Sequence, residues 1–234
     1  MNLKGMEVLI TGATGGIGRA LCFEFASKGC NLMITATNTS KLKELEGEIL
    51  SQFNSISVVS FTADLSSTQD ISDLCNYFEN VDILINNAGI FPIKNLLTST
   101  LEEFDECMSI NLRAPFILCK HYGSLMKKKS WGRIVNIGSS SAYYGNGSCG
   151  VYCTSKHALL GLTRSLYQEL RKDGVRVYSV SPGSAQTPMG KTDIKQNYET
   201  FIKPHEIAEY VSFIVSYDKE MISEEIRLNR ILVK

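Results

Sequence analysis

Val8-Leu9-Ile10-Thr11-Gly12-Ala13-Thr14-Gly15-Gly16-Ile17-Gly18 is the stretch that decides the fold. A short apolar run ends in a glycine cluster, and a helix follows from about Ile17 to Lys28, stopped by Gly29. Glycines between a strand and a helix let the backbone approach a ligand and aim helix N-terminal amides at a phosphate. Such a turn can be loop chemistry alone. Its place after the first strand, opening a helix, selects dinucleotide binding. The spacing is not G-x-G-x-x-G, because Leu21 stands where the last glycine would be.

Outward from this turn, strands and helices alternate to the end of the chain. Expected strands are Leu32–Ile34, Ile56–Phe61, Ile83–Ile85, Arg133–Ile137, Val175–Val180 and Glu225–Val233. Expected helices are Ser40–Phe53, Thr68–Phe78, Leu101–Lys129 (bent or restarted at Pro115), Tyr152–Leu170 and Pro204–Ser216. Ser184 to Lys203 is polar and weakly periodic and reads as a mobile flap. This alternation implies an α/β fold with a single doubly wound parallel sheet of Rossmann type and helices on both faces. With no linker, repeat or low-complexity segment, residues 1–234 read as one domain.

Composition narrows the function. The 24 basic and 24 acidic residues balance to a net charge of zero, which leaves no electrostatic footprint for nucleic acid. Lys127-Lys128-Lys129 reads as a solvated helix end. Met1 to Glu7 is polar and runs into a strand, unlike a signal peptide, and no apolar run is long enough to span a membrane. Seven cysteines, an odd number with no C-x-x-C, read as reduced thiols and a cytoplasmic location. The three histidines are scattered and give no metal spacing.

Ligands of open α/β sheets bind at the carboxyl ends of strands. After the second strand the chain reads Ala36-Thr37-Asn38-Thr39-Ser40, with no carboxylate for a ribose diol. The Thr37 hydroxyl can donate to a 2′-phosphate, and Lys41 and Lys43 follow, so NADP(H) is favoured over NAD(H). No arginine is present there, and Gly15 offers no side chain. Asp64 follows the third strand and reads either as an acceptor for the adenine amino group or as a helix N-terminal acid. Asn86-Asn87-Ala88-Gly89 follows the fourth. Tyr152 and Lys156 stand four apart on one helix face, and Ser139 closes the strand before them. An ammonium beside a phenol favours the phenolate and pulls its pKa down from about 10 toward neutrality. Tyr167 and Arg171 repeat the spacing and carry no assigned role.

Taken together, Thr11-Gly12-x-x-x-Gly16-x-Gly18, Asp64, Asn86-Asn87-Ala88-Gly89, Asn111, Ser139, Tyr152-x-x-x-Lys156 and Pro182-Gly183-x-x-x-Thr187 resemble the short-chain dehydrogenase/reductase family over nearly the whole chain. The resemblance implies a catalytic tetrad of Asn111, Ser139, Tyr152 and Lys156. Tyr152 is then the acid/base, and Ser139 orients the substrate oxygen. Lys156 binds the nicotinamide ribose and lowers the pKa of the tyrosine, and Asn111 holds a water in a proton relay. Cofactor contacts fall to Gly12, Thr14, Gly15, Gly16, Ile17, Gly18, Thr37, Asp64, Leu65, Asn87, Ala88, Gly89, Pro182, Gly183 and Thr187, with Tyr152 and Lys156. No metal is implied.

Within the family the chain is most similar to bacterial 3-oxoacyl-acyl-carrier-protein reductases, a subgroup that uses NADPH. It departs from them in a shorter flap after Thr187. It also departs in Glu225-Ile226-Arg227-Leu228-Asn229-Arg230, where Asp-Gly-Gly or Asn-Gly-Gly is expected. Both regions shape the substrate pocket, so they bear on an acyl-carrier-protein partner and leave the hydride chemistry untouched. The implied activity is reversible hydride transfer between NADP(H) and a small-molecule carbonyl or secondary alcohol, in a homodimer or homotetramer. Competing readings are an NAD-dependent alcohol or sugar dehydrogenase and a nucleotide-sensing or scaffold protein without catalysis.

Overall fold

The structure is a computed structural model that describes residues 1–192 and 196–231. Its frame is one seven-stranded sheet, all parallel, in the order β3-β2-β1-β4-β5-β6-β7. The strands are β1 (Glu7–Thr11), β2 (Asn31–Ala36), β3 (Val58–Thr62), β4 (Ile83–Asn86), β5 (Gly132–Ile137), β6 (Val175–Pro182) and β7 (Glu225–Leu228). The helices are α1 (Gly16–Ser27), α2 (Thr39–Gln52), α3 (Thr68–Tyr77), α4 (Leu101–Met108), α5 (Ala114–Lys129), α6 (Gly150–Leu170) and α7 (Pro204–Ser216).

Side chains alternate across a strand, and both faces here are apolar, as a sheet covered on both sides requires. In β1, Val8 and Ile10 join the core under α1, α2 and α7, while Leu9 joins the core under α3, α5 and α6. Strand order reverses between β1 and β4, so the chain leaves β1 toward β2 and β3 and returns beside β1 as β4. A crevice opens at that switch point, at the carboxyl ends of the strands.

Two elements differ from the sequence expectation. The helix expected over Leu101–Lys129 is interrupted by a π turn, Ser109–Arg113, and Pro115 sits in the first turn of the restarted α5, where its missing N–H costs nothing. The last strand stops at Leu228, because its pairing with β6 ends at Pro182. The expected continuation to Val233 reaches residues 232–234, which lie outside the described residues. The flap carries two short 3-10 turns, Gly190–Thr192 and Tyr198–Thr200. Its ends are tied by Gln186 N–H to Ile202 O (2.8 Å) and Ile202 N–H to Ser184 O (3.0 Å); residues 193–195 lie outside the described residues. Among the described residues no helix is long and apolar enough to cross a membrane.

Candidate active site

The floor of the crevice is built by Thr11. Its buried Oγ1 accepts from the backbone N–H groups of Asn87 and Ala88, each at 3.0 Å, so the end of β1 is tied to the loop after β4. Asn87 Nδ2 completes the lock by donating to Thr11 O (2.9 Å) and Gly12 O (3.1 Å). Gly12 has φ +63°, and a Cβ there would stand 2.8 Å from Ala88 Cα. Gly18 is packed harder still: a Cβ would meet Gly12 O at 2.2 Å. These glycines serve the approach of one loop to another. Gly15, at the exposed N-cap of α1, is the one left open toward a ligand.

The crevice has a volume of about 550 Å³. It is lined by Gly12 and Thr14 to Gly18 of the glycine turn, by Thr37, Asp64 and Leu65 after β2 and β3, and by Asn87 to Gly89 after β4. Ser139, Tyr152, Lys156, Pro182, Gly183 and Thr187 complete the lining, and Thr187 lies against Gly16, where a Cβ would meet its Cγ2 at 2.6 Å. Every expected site residue except Asn111 therefore meets at one cavity. Asp64 is exposed and three residues ahead of the Ser67 N-cap of α3; the acid of that first turn is Asp70, so the alternative of Asp64 as helix acid does not hold. Lys43 is ion-paired with Glu46 at 2.8 Å.

The crevice fits a dinucleotide. The α1 N-terminus has no side-chain cap and no acid in its first turn, which leaves its amides for an anionic group. Thr35 Oγ1 is buried in the crevice lining with no protein partner. Lys156 presents the only positive charge among the described lining residues. Thr37 stands at the exposed rim with no carboxylate on its own loop.

Lys156 Nζ is buried and donates to Ile137 O at 2.9 Å, and it lies 5.7 Å from the Tyr152 ring centroid. Ser139, buried two residues beyond β5, stands beside the Tyr152 side chain and draws its phenol pKa down. Asn111 lies behind this group, inside the π turn. Its Oδ1 accepts from Ile90 N–H (2.9 Å), and its Nδ2 donates to Ile90 O and Ser155 Oγ, both at 3.0 Å. Both amide hydrogens are thus engaged by the protein. A Cβ on Gly89 would come within 3.1 Å of Asn111 Oδ1 and 3.7 Å of Lys156 Nζ, so Gly89 is the spacer between them.

Protonation departs from the sequence expectation. Burial pushes the Tyr152 phenol up to about 12, against the pull of the Ser139 hydroxyl. Burial also pushes the Lys156 ammonium down to about 8. The expected descent of the phenol toward neutrality is not seen, because a dry site penalises the charged form of both groups. The resting pair is a neutral phenol beside a marginal ammonium, which suits proton donation to a carbonyl oxygen.

Comparison with known proteins agrees with this geometry. The family model for short chain dehydrogenases matches residues 6–198. The chain belongs to the short chain dehydrogenase family. The 3-oxoacyl-acyl-carrier-protein reductase FabG of Aquifex aeolicus is 34% identical over 97% of this chain and 96% of its own. An uncharacterized oxidoreductase of Thermotoga maritima is 37% identical over 87% of this chain and 82% of its own. Among solved structures, a metagenomic short-chain oxidoreductase in complex with NADP superposes with a TM-score of 0.85 at 29% identity, covering 99% of this chain and all of its own. As a member of this family, the protein is an oxidoreductase of carbonyl and hydroxyl groups that uses a nicotinamide dinucleotide.

Sequence reasoning missed several supports of the site. Ser155 Oγ donates to Tyr152 O (2.8 Å) while accepting from Asn111, which joins the π turn to α6. Its place beside Lys156 was the available signal. Phe91 meets the Tyr152 ring edge-on, with centroids 4.6 Å apart. Asn86, Asn136 and Thr163 form a buried chain of hydrogen bonds at 2.8 and 2.9 Å beneath the sheet ends. Asn86 stands in the Asn86-Asn87-Ala88-Gly89 run, but nothing in local sequence marks Phe91, Asn136 or Thr163, since each contact is made between distant elements.

Proposed function

We propose that this protein is an NADP(H)-dependent reductase that interconverts a carbonyl and a secondary alcohol, with Tyr152 as acid/base, and that its substrates are neutral 3-oxoacyl thioesters or ketones. The observation that carries it is the convergence of Ser139, Tyr152 and Lys156 on the crevice that the α1 N-terminus also lines. The NADP bound to the metagenomic neighbour and the FabG relatives support the cofactor and the thioester. The α1 amides would take the pyrophosphate, Thr37 the 2′-phosphate, and Lys156 the nicotinamide ribose. NADPH bound there supplies the hydride.

The chain's own residues do the rest. Ser139 holds the carbonyl oxygen by a hydrogen bond that strengthens as charge builds on that oxygen. Tyr152 OH then gives it a proton, and the dry surroundings that raised the phenol hold the proton until it is needed. The Lys156 ammonium, fixed by Ile137 O, steadies the phenolate left behind. Asn111, its amide already engaged, holds Ile90 and Ser155 and so keeps Gly89 and α6 in register. In the oxidative direction the steps reverse.

Phe91 packs on Tyr152, the crevice lining also holds Tyr144, Met189 and Phe201, and the charged residues among the described lining are Lys156 and Asp64 alone. An ionised keto acid finds no counter-ion besides Lys156, which Ile137 O and the cofactor engage, whereas a thioester does not need one. The test is NADPH oxidation with acetoacetyl thioesters, acetoacetate and simple ketones, for the wild type and Tyr152→Phe. Thioester reduction that falls by about 10²–10⁴ in Tyr152→Phe, with NADPH affinity kept, is expected. Unchanged turnover in that variant, or preference for acetoacetate, refutes the reading. Exposed Phe104 and Phe116 on α4 and α5 support assembly as a homodimer or homotetramer of one-domain chains, which sedimentation measures.

A further inference from the structure

The segment after β6 that departs from the family pattern ends in Arg230, two residues beyond β7. Its Nη1 donates to Thr200 Oγ1 at 3.2 Å, and its Nη2 donates to Gln196 Oε1. Its guanidinium lies 4.9 Å from the centroid of the Phe201 ring. One side chain of the C-terminal segment thus engages three residues of the flap. Two of the three, Gln196 and Phe201, line the crevice. Gln196 Oε1 also accepts from Ser184 Oγ at 3.4 Å, and Ser184 stands in the lining just after β6.

Around a single 3-10 turn, the backbone of this wall is tied to the body of the protein by the Ile202 pairing and by Gln186 Nε2, which donates to Tyr198 O (3.2 Å) and Glu199 O (3.4 Å), whereas the Gln196 and Thr200 side chains are met by Arg230. Phe201 is 4% exposed and packs against Tyr198, with ring centroids 5.3 Å apart. A guanidinium suits the space that remains, because its planar fork serves two acceptors on separate residues while its face lies against an aromatic ring. An ammonium serves the charge but not the fork.

We propose that Arg230 is a positioning residue that fixes the Gln196–Phe201 wall of the crevice and thereby sets the affinity for the carbonyl substrate. The claim about substrate rests on the reductase reading above; the claim about the wall does not. Arg230 touches no reacting atom. It holds Gln196 and Phe201 in place before substrate arrives, so less ordering remains to be done on binding.

The test compares wild type with Arg230→Ala, Arg230→Lys, Gln196→Ala and the Arg230→Ala/Gln196→Ala double variant. Steady-state kinetics use an acetoacetyl thioester, NADPH affinity is read by fluorescence titration, and Tm is recorded for each protein. For Arg230→Ala, KM for the thioester rises roughly tenfold while kcat stays within about twofold. NADPH affinity and Tm hold. Arg230→Lys does not rescue KM, and the loss in the double variant is smaller than the two single losses combined, because the two side chains share a contact. An unchanged KM, additive losses, or a fall in NADPH affinity or Tm in step with KM overturns the proposal. Hydrogen exchange at residues 196–202 separates the two claims. Faster exchange in Arg230→Ala supports the wall contact even if the wild type reduces no carbonyl, and wild-type exchange there overturns it.

Discussion

Burial sets the protonation of the Tyr152–Lys156 pair. Tyr167 and Arg171 show why spacing is not enough: the Arg171 guanidinium lies 6.0 Å from the Tyr167 ring, nearly the separation of the Lys156 pair, yet neither residue lines the crevice. With Lys156 held down at about 8 and Tyr152 up at about 12, the two directions of pH dependence follow. Reduction needs a protonated phenol, present throughout the working range, and a charged Lys156. The kcat/KM for reduction should therefore fall as pH rises through about 8, as a pH–rate profile will show. Stability runs the other way. The folded-state pKa of Lys156 lies below its ordinary 10.5, so the unfolded chain binds the proton more tightly. The burial penalty is full below pH 8 and is relieved as pH climbs from 8 toward 10.5. Lys156→Met should abolish turnover and raise Tm relative to wild type at about pH 7, with the gain shrinking by about pH 10. A gain that does not depend on pH would show that the ammonium is not the destabilising group.

At the scale of elements, the join between β1, α1 and β4 bears the site. Its glycines look alike in sequence and do different work. A Cβ on Gly15 meets only Gly12 O, at 3.3 Å, whereas a Cβ on Gly18 is driven to 2.2 Å from the same atom and 2.8 Å from Asn87 Nδ2. Gly18→Ala should thus cost about 1–3 kcal/mol of stability through backbone displacement. Gly15→Ala should leave Tm near wild type and weaken NADPH binding. Denaturant unfolding with NADPH titration distinguishes the two, and equal stability losses would contradict the packing described. The π turn is a second element-level device. It sets Asn111 behind Gly89, where its amide reaches both the β4 loop and Ser155. Bulges of this kind recur at functional sites because the extra residue re-aims a side chain that a regular helix would place elsewhere.

For the whole molecule, the crevice spans loops from every strand but β7, so a dinucleotide bound across it couples to global stability. NADPH at about one hundred times its Kd should stabilise the fold by about 2.7 kcal/mol. A thermal scan should then show a rise of roughly 5–10 °C, given about 2–4 °C per kcal/mol for a protein of this size. NADH at the same concentration should raise Tm by less. An equal or larger shift with NADH would reverse the reading of Thr37.

The alternation of strands and helices and the glycine turn at β1 were legible in the chain, because short-range patterns encode them: apolar runs, β-branched residues, caps and fixed spacings; the expected site residues were legible through the family resemblance, and Phe91, Gln196 and Phe201, which share the crevice, were not. The sequence by itself determined that these groups exist and where along the chain each one falls. Tertiary structure decided their chemistry. Desolvation, which no linear pattern records, put Tyr152 above and Lys156 below their ordinary pKa values. Close approach of loops from β1 and β4 determined which glycines are structural and which face a ligand. Contacts between elements remote in sequence, Arg230 to Gln196 among them, placed the wall of the crevice, because burial and packing depend on what the folded chain brings alongside.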